Sequence, residues 1–237
     1  MNASHMMPFD YKATLSSVTR TVIKGRLPDS AGTSGDGKPG DSNFRTIRLA
    51  RDFAVDVDTV WRAITQPDRL ALWFAPVSGD LVLGGQYHVQ GNARGTIRRC
   101  DPGSVLELTW EFGDDVSYVR VSLAASQRSD GAAALTLEHE TPVTDHWAKF
   151  GPGAGGVGWD MALAGLESYL EETELPRDED WWAEAAEPRA FLEGSSAAWR
   201  AAAVAAGEDE SWARDAELRN TRFYVPEKPS GSDDANN

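Results

Sequence analysis

His139 and His146 bracket a loop, with Glu140 and Asp145 beside them. Imidazole next to carboxylate is the pairing from which general bases and metal sites are built. A metal centre needs two or three such groups converging, and this spacing matches no ligand motif, so no metal and no cofactor are expected. His139 alternates in phase with Leu135 and Leu137, which turns it inward with them. Two roles are open to an inward histidine: a neutral ring held by a hydrogen bond in the core, or a polar anchor or general base inside an apolar pocket. No nucleophile motif accompanies it. Gly-x-Ser-x-Gly is absent, and Cys100 stands beside a turn without an adjacent base. No catalytic residue is assigned, except His139 as base if the chain is an enzyme.

Gly151-Pro-Gly153-Ala-Gly-Gly156 satisfies Gly-x-Gly-x-x-Gly and opens a helix. A dinucleotide site needs that pattern inside a strand-helix-strand unit with parallel strands. Here the preceding strand belongs to an antiparallel run and no parallel strand follows, so the glycines read as a structural hinge, with a lid as the alternative. Glu107 and Glu111 share a face that alternation marks as wet, which makes them poor partners for acid-base work. Nine tryptophans are the larger chemical feature. Core packing accounts for Trp61. Trp147 sits with His146 and Phe150 in a loop, where aromatic rings are exposed unless they close over something.

The elements that must position these residues follow from periodicity. Val18 to Lys24 and Phe44 to Val55 read as strands, Asp56 to Ile64 as a helix with an aspartate cap, and Pro67 as the opening of a second short helix through Trp73. Six strands in a meander follow: 81–83, 86–90, 94–100, 105–112, 119–123 and 135–139. Leu106, Leu108, Trp110 and Phe112 share one face of the fourth, and Tyr87 and Val89 share one face of the second. Val157 to Leu170 is an amphipathic helix with Trp159, Ala162, Leu163 and Leu166 in its apolar stripe. Two further helices, 190–206 and 210–223, are expected beyond it.

Composition bounds the partners. The chain has 237 residues, 41% of them hydrophobic, with a formal charge of -14 and one cysteine. Neither a transmembrane run nor a secretory leader is visible, and a cytoplasmic location is expected. No basic footprint for nucleic acid or for an anionic membrane is present. The domain reading is a tag or disordered stretch over 1–13 with Ser4-His5-Met6 as a cloning scar, a main domain over 14–174 with a flexible 28–43 loop, a helical extension over 175–226 and a disordered 227–237 tail.

Four segments give the pattern a specific likeness: Val60-Trp-Arg-Ala-Ile-Thr-Gln-Pro67 followed by Leu70 and Trp73; Gly79-Asp-Leu81 with Gly84-Gly85; Val105-Leu-Glu-Leu-Thr-Trp110; and Gly155-Gly-Val-Gly-Trp159-Asp160. Over roughly residues 44–172 the chain resembles the START-like superfamily, also called SRPBCC or Bet-v-like. Within it, the chain is similar to the bacterial branch named after the activator of the heat-shock-protein-ninety ATPase. The resemblance implies an α+β helix-grip fold: a curved antiparallel sheet around a long C-terminal helix, here with an added helical tail that covers the cavity mouth, packs on the sheet or forms a dimer. It also implies a cavity for a small hydrophobic or aromatic ligand, carried or sequestered. The expected wall is Tyr87, Val89, Leu108, Trp110, Phe112, Trp159 and Leu163, the rim Trp73, Trp147 and Phe150, and the polar contact His139. A cyclase or dehydratase on a polyketide-like substrate is one alternative. The other is a co-chaperone-like module that meets an ATPase or a second copy through exposed Trp199 or Trp212 of the tail, with a pocket that survives truncation at Glu174.

Overall fold

The computed structural model describes residues 8–27, 41–113, 115–173, 175–176, 182 and 185–226. The expected cloning scar, the 28–40 part of the expected loop, the 177–181 connector and the 227–237 tail lie outside these residues. Strand β1 (Thr19–Lys24) pairs antiparallel with β2 (Phe44–Phe53), Val22 opposite Ile47. Helix α2 (Val57–Thr65) starts where the Asp56 carboxylate accepts the Thr59 N–H at 2.7 Å. Hydrogen bonds from Thr59 hold that carboxyl below its usual range. Helix α3 (Pro67–Trp73) has proline in its first turn, where a missing N–H costs nothing. The meander then runs through β3 (Val77–Gly79), β4 (Gln86–Val89), β5 (Arg94–Asp101), β6 (Val105–Phe112), β7 (Asp115–Ala125) and β8 (Ala133–Pro142). Because β8 closes onto β2, the sheet order is β1-β2-β8-β7-β6-β5-β4-β3, with every neighbour antiparallel. After α4 (Asp145–Phe150), the long helix α5 (Gly153–Leu170) lies against the sheet, which makes this an α+β helix-grip fold.

The first meander strand differs from expectation. Leu81-Val82-Leu83 forms a turn, not a strand; Val82 and Leu83 are exposed, and Gly84 and Gly85 exchange backbone hydrogen bonds with Ile97. Three consecutive apolar residues carry no period of two, so nothing in them favours a pleated strand over a turn. The N-terminal stretch also departs from the disorder expected over 1–13. Helix α1 (Tyr11–Ser17), capped by Asp10, buries Phe9 and Tyr11 edge-on to each other, with Tyr11 meeting Trp182 and Phe191. Aromatic anchors hold a seven-residue helix that local propensity alone would not.

The face of β6 expected to be wet is covered. Arg99, Glu107, Arg120, Glu138 and Arg48 stand opposite one another across β5, β6, β7, β8 and β2. Arg120 Nε lies 2.8 Å from Glu107 Oε1, Arg48 Nη2 2.6 Å from Glu138 Oε1, and Glu107 is only 4% exposed. Long arginine side chains from adjacent strands roof the carboxylates, so polar alternation here marks a charge ladder instead of a solvated face.

The C-terminal helices α6 (Ala186–Ala205) and α7 (Glu210–Tyr224) pack on the side of α5 turned away from its cavity-lining stripe. The glycine run is where they meet it. A Cβ on Gly156 would stand 2.3 Å from the Trp199 ring, and one on Gly153 would stand 2.2 Å from the Asn220 amide. The run is therefore the first turn of α5 and a seat for the tail. The hinge or lid expected there is corrected, since Gly153 and Gly156 are buried within the helix.

Candidate ligand cavity

Between the sheet, α5 and the α2–α3 pair lies a cavity of about 170 Å3. Strand periodicity builds one side of it. Alternate residues Leu106, Leu108 and Trp110 of β6, Val119 and Val121 of β7, and Leu135 and Leu137 of β8 all face it, with Tyr87, Val89 and Ile97 from β4 and β5. Trp159, Ala162, Leu163 and Leu166 come from α5 at helical spacing. Ile64, Thr65, Leu70, Trp73 and Phe74 close it from the α2–α3 side, with Val77, Leu81 and Cys100. No lining residue carries a charge.

Seven of the expected site residues meet here: Trp73, Tyr87, Val89, Leu108, Trp110, Trp159 and Leu163. Three do not. Phe112 ends β6 and is 62% exposed, because the strand runs out past the cavity before its last inward position. Trp147 is buried in α4 as part of the main core, and Phe150 stacks with His146 and Phe223 under the tail. Their loop forms a helix beneath α7, where Trp212 Nε1 donates to the Ala148 carbonyl at 2.7 Å, so the rim expected from Trp147 and Phe150 is absent. Sequence reasoning missed Ile64, Leu70, Phe74 and Ile97. The three- and four-residue spacing of Val57, Val60, Trp61 and Ile64 carried the signal for the first of them.

His139 points inward beside the cavity without lining it. The Trp159 indole N–H donates to its Nδ1 at 3.0 Å, and its Nε2 lies 2.8 Å from Ser117 Oγ. Ser117 Oγ in turn donates to the Trp110 carbonyl at 2.9 Å. An accepting Nδ1 places the ring proton on Nε2, and the serine passes its own proton on, so each member of the chain has a partner. Burial pushes the imidazole down to about 4, and the ring is neutral at physiological pH. Both nitrogens are engaged, leaving no lone pair for substrate.

The Trp73 indole and the Tyr87 and Thr65 hydroxyls, which line the cavity, are also spent. Trp73 Nε1 donates to the Ala63 carbonyl at 2.9 Å, the Tyr87 hydroxyl to the Thr109 carbonyl at 2.6 Å, and the Thr65 hydroxyl to the Trp61 carbonyl at 2.6 Å. Burial raises the Tyr87 phenol well above its ordinary value, so it stays protonated. Among the described residues, no three His, Cys, Asp or Glu side chains gather as a metal site, and no helix is long and apolar enough to cross a membrane.

Comparison with known proteins places this architecture. The crystal structure of CalU16 from Micromonospora echinospora is 30% identical, with 78% of this chain and 97% of that one covered at a TM-score of 0.56. The solution structure of the same protein is 26% identical, covers 86% of this chain and 100% of that one, and has a TM-score of 0.61. A conserved Enterococcus faecalis protein of unknown function, EF2215, shares the fold at 15% identity and a TM-score of 0.51, over 78% of this chain and 91% of its own. No curated protein matches the sequence. The family model described as activator of Hsp90 ATPase homolog 1-like protein matches residues 54–171, the span from the end of β2 to the end of α5 that encloses the cavity. The chain belongs to that family, within the helix-grip proteins of the SRPBCC type.

Proposed function

We propose that the protein binds a small, uncharged hydrophobic or aromatic molecule in this cavity, as a carrier or sequestering protein. One observation carries the reading: about 170 Å3 of space is walled by apolar and aromatic side chains with no charged group among them. Apolar cavities of roughly 150 Å3 stay dry and admit a benzene ring, so the space suits a ring compound better than water. Pockets of this composition bind by burying the ligand's surface, with few polar contacts setting orientation.

The two alternatives rest on residues that are otherwise engaged. A cyclase or dehydratase using His139 needs a free ring nitrogen, and both are hydrogen-bonded within the protein. A contact through Trp199 needs an exposed indole, and Trp199 is 0% exposed, while Trp212 is half-buried and donates to Ala148.

Calorimetric titration with toluene tests the proposal. The wild-type protein is expected to bind. Ala162→Leu, which adds bulk on the α5 wall, is expected to weaken binding at least about tenfold while the variant still melts cooperatively, since an overfilled site costs about 1–3 kcal/mol. Equal binding by both proteins would remove the cavity from consideration.

A further inference from the structure

The cavity's polar inventory narrows the ligand. Three indoles line it, and two of their N–H groups are committed: Trp73 to the Ala63 carbonyl and Trp159 to His139. The Tyr87 and Thr65 hydroxyl protons go to backbone carbonyls. Trp110 differs. Its ring packs 5.1 Å from Trp159 and 6.3 Å from His139, yet its indole N–H has no hydrogen bond among the described residues. An indole N–H is a donor only, and on a half-buried, cavity-lining ring with no protein acceptor it is free to meet an acceptor on a ligand.

Resting on the binding role proposed above, we infer that the preferred ligand is an uncharged aromatic carrying one hydrogen-bond acceptor, a carbonyl or ether oxygen, which takes the Trp110 N–H. A carboxylate is rejected, because no Lys, Arg or His side chain lines the space to pair with it and desolvating the anion is costly. The aromatic part is held by Trp73, Phe74, Trp110 and Trp159, and the acceptor fixes its orientation. Trp110 is thus a specificity-determining residue, and the site discriminates ketone from hydrocarbon through one bond.

Ethylbenzene, acetophenone and benzoate form a matched series of nearly equal size: no acceptor, one neutral acceptor, and a charge. Calorimetric titration of the full chain and of Trp110→Phe with all three compounds tests the inference. In the wild type, ethylbenzene and acetophenone bind and benzoate binds at least about tenfold more weakly. Trp110→Phe keeps a ring at the position and removes the donor. It is expected to weaken acetophenone by roughly threefold to tenfold more than it weakens ethylbenzene, the range of one net hydrogen bond. The indole N–H resonance of Trp110 in the wild-type protein gives a second reading that needs no variant to fold: it shifts downfield with acetophenone and not with ethylbenzene. Failure of every compound to bind overturns the cavity reading itself. Binding of ethylbenzene with equal losses for both neutral ligands in Trp110→Phe, or with no N–H shift, overturns the donor inference and leaves the cavity standing. Benzoate binding as well as acetophenone overturns the rejection of charge.

Discussion

A histidine with both nitrogens engaged and its pKa held near 4 has a thermodynamic consequence. In the unfolded chain, His139 takes up a proton as pH falls through about 6.5; in the folded protein, burial delays that to about 4. Between those values the unfolded state binds more protons, so His139 contributes stability above pH 6.5 that is lost as pH falls and is gone below about 4. The shift corresponds to at most about 3 kcal/mol. Urea unfolding at pH 7, 6, 5 and 4 of wild type and His139→Gln checks this. The difference between the two proteins is expected to shrink by about 2–3 kcal/mol across the window, since glutamine does not titrate. A constant difference would mean that the ring is already charged, or not buried, in the native state. At this scale the inward turn of His139 was legible from alternation with Leu135 and Leu137. Its partners were not: Ser117 and Trp159 lie 22 and 20 residues away in sequence, and nothing local announces either contact.

Elements were more readable than the surfaces they present. The alternation of Leu106, Leu108 and Trp110 located β6 and its cavity face, because period two reports the pleat directly. The same alternation misjudged Glu107, since it distinguishes apolar from polar and not wet from dry; arginines on the neighbouring strands cover it. Helix α5 shows the limit from the other side. Its Trp159, Ala162, Leu163 and Leu166 stripe was legible, but Gly153, Gly156 and Asp160 are also buried, against Asn220, Trp199 and Ser195 of the tail, and Glu167 is buried against Thr14 of α1 and Arg51 of β2. Glycines at a helix start read as a phosphate loop or hinge when the partner that needs their missing side chains lies more than 40 residues downstream. This predicts a contrast between adjacent positions. Gly156→Ala drives a methyl into the fully buried Trp199 and is expected to cost about 1–3 kcal/mol. Gly155→Ala meets Ile47 and His139 only at 3.7 and 3.8 Å, ordinary contact, and is expected to be neutral or to gain up to about 1 kcal/mol from helix propensity. Chemical denaturation of the two variants separates the readings, since a flexible hinge would respond to both alike.

A buried polar junction ties the helix-grip core to its tail. Asp160 of α5 receives Arg20 Nε and Nη2 of β1 at 2.9 Å each, together with the Ser195 hydroxyl and the Trp199 indole of α6. Burial pushes that carboxyl up, while Arg20 and its hydrogen bonds pull against the rise. Truncation at Glu174 was expected to leave the pocket intact. The structure argues otherwise: it would remove Trp182, Phe191, Leu192 and Trp199, all buried, and strip the cover from Asp160. At roughly 1.5–3 kcal/mol per buried side chain, the loss is comparable to the whole margin of about 5–15 kcal/mol that holds a domain folded. A chain ending at Thr173 is therefore expected to show no cooperative melt by calorimetry. A sharper test leaves the tail in place. Asp160→Asn keeps an acceptor for Ser195 and Trp199 but deprives Arg20, whose side chain is itself buried, of its negative partner. An unpaired charge in that position costs about 3–5 kcal/mol, whereas removing both charges together is often close to neutral. Arg20→Met added to Asp160→Asn is therefore expected to restore at least half of the lost unfolding free energy in urea titrations. If the double variant is no more stable than Asp160→Asn alone, the junction acts through shape and hydrogen bonding, and the charge of Arg20 has no part in tying the tail to the core.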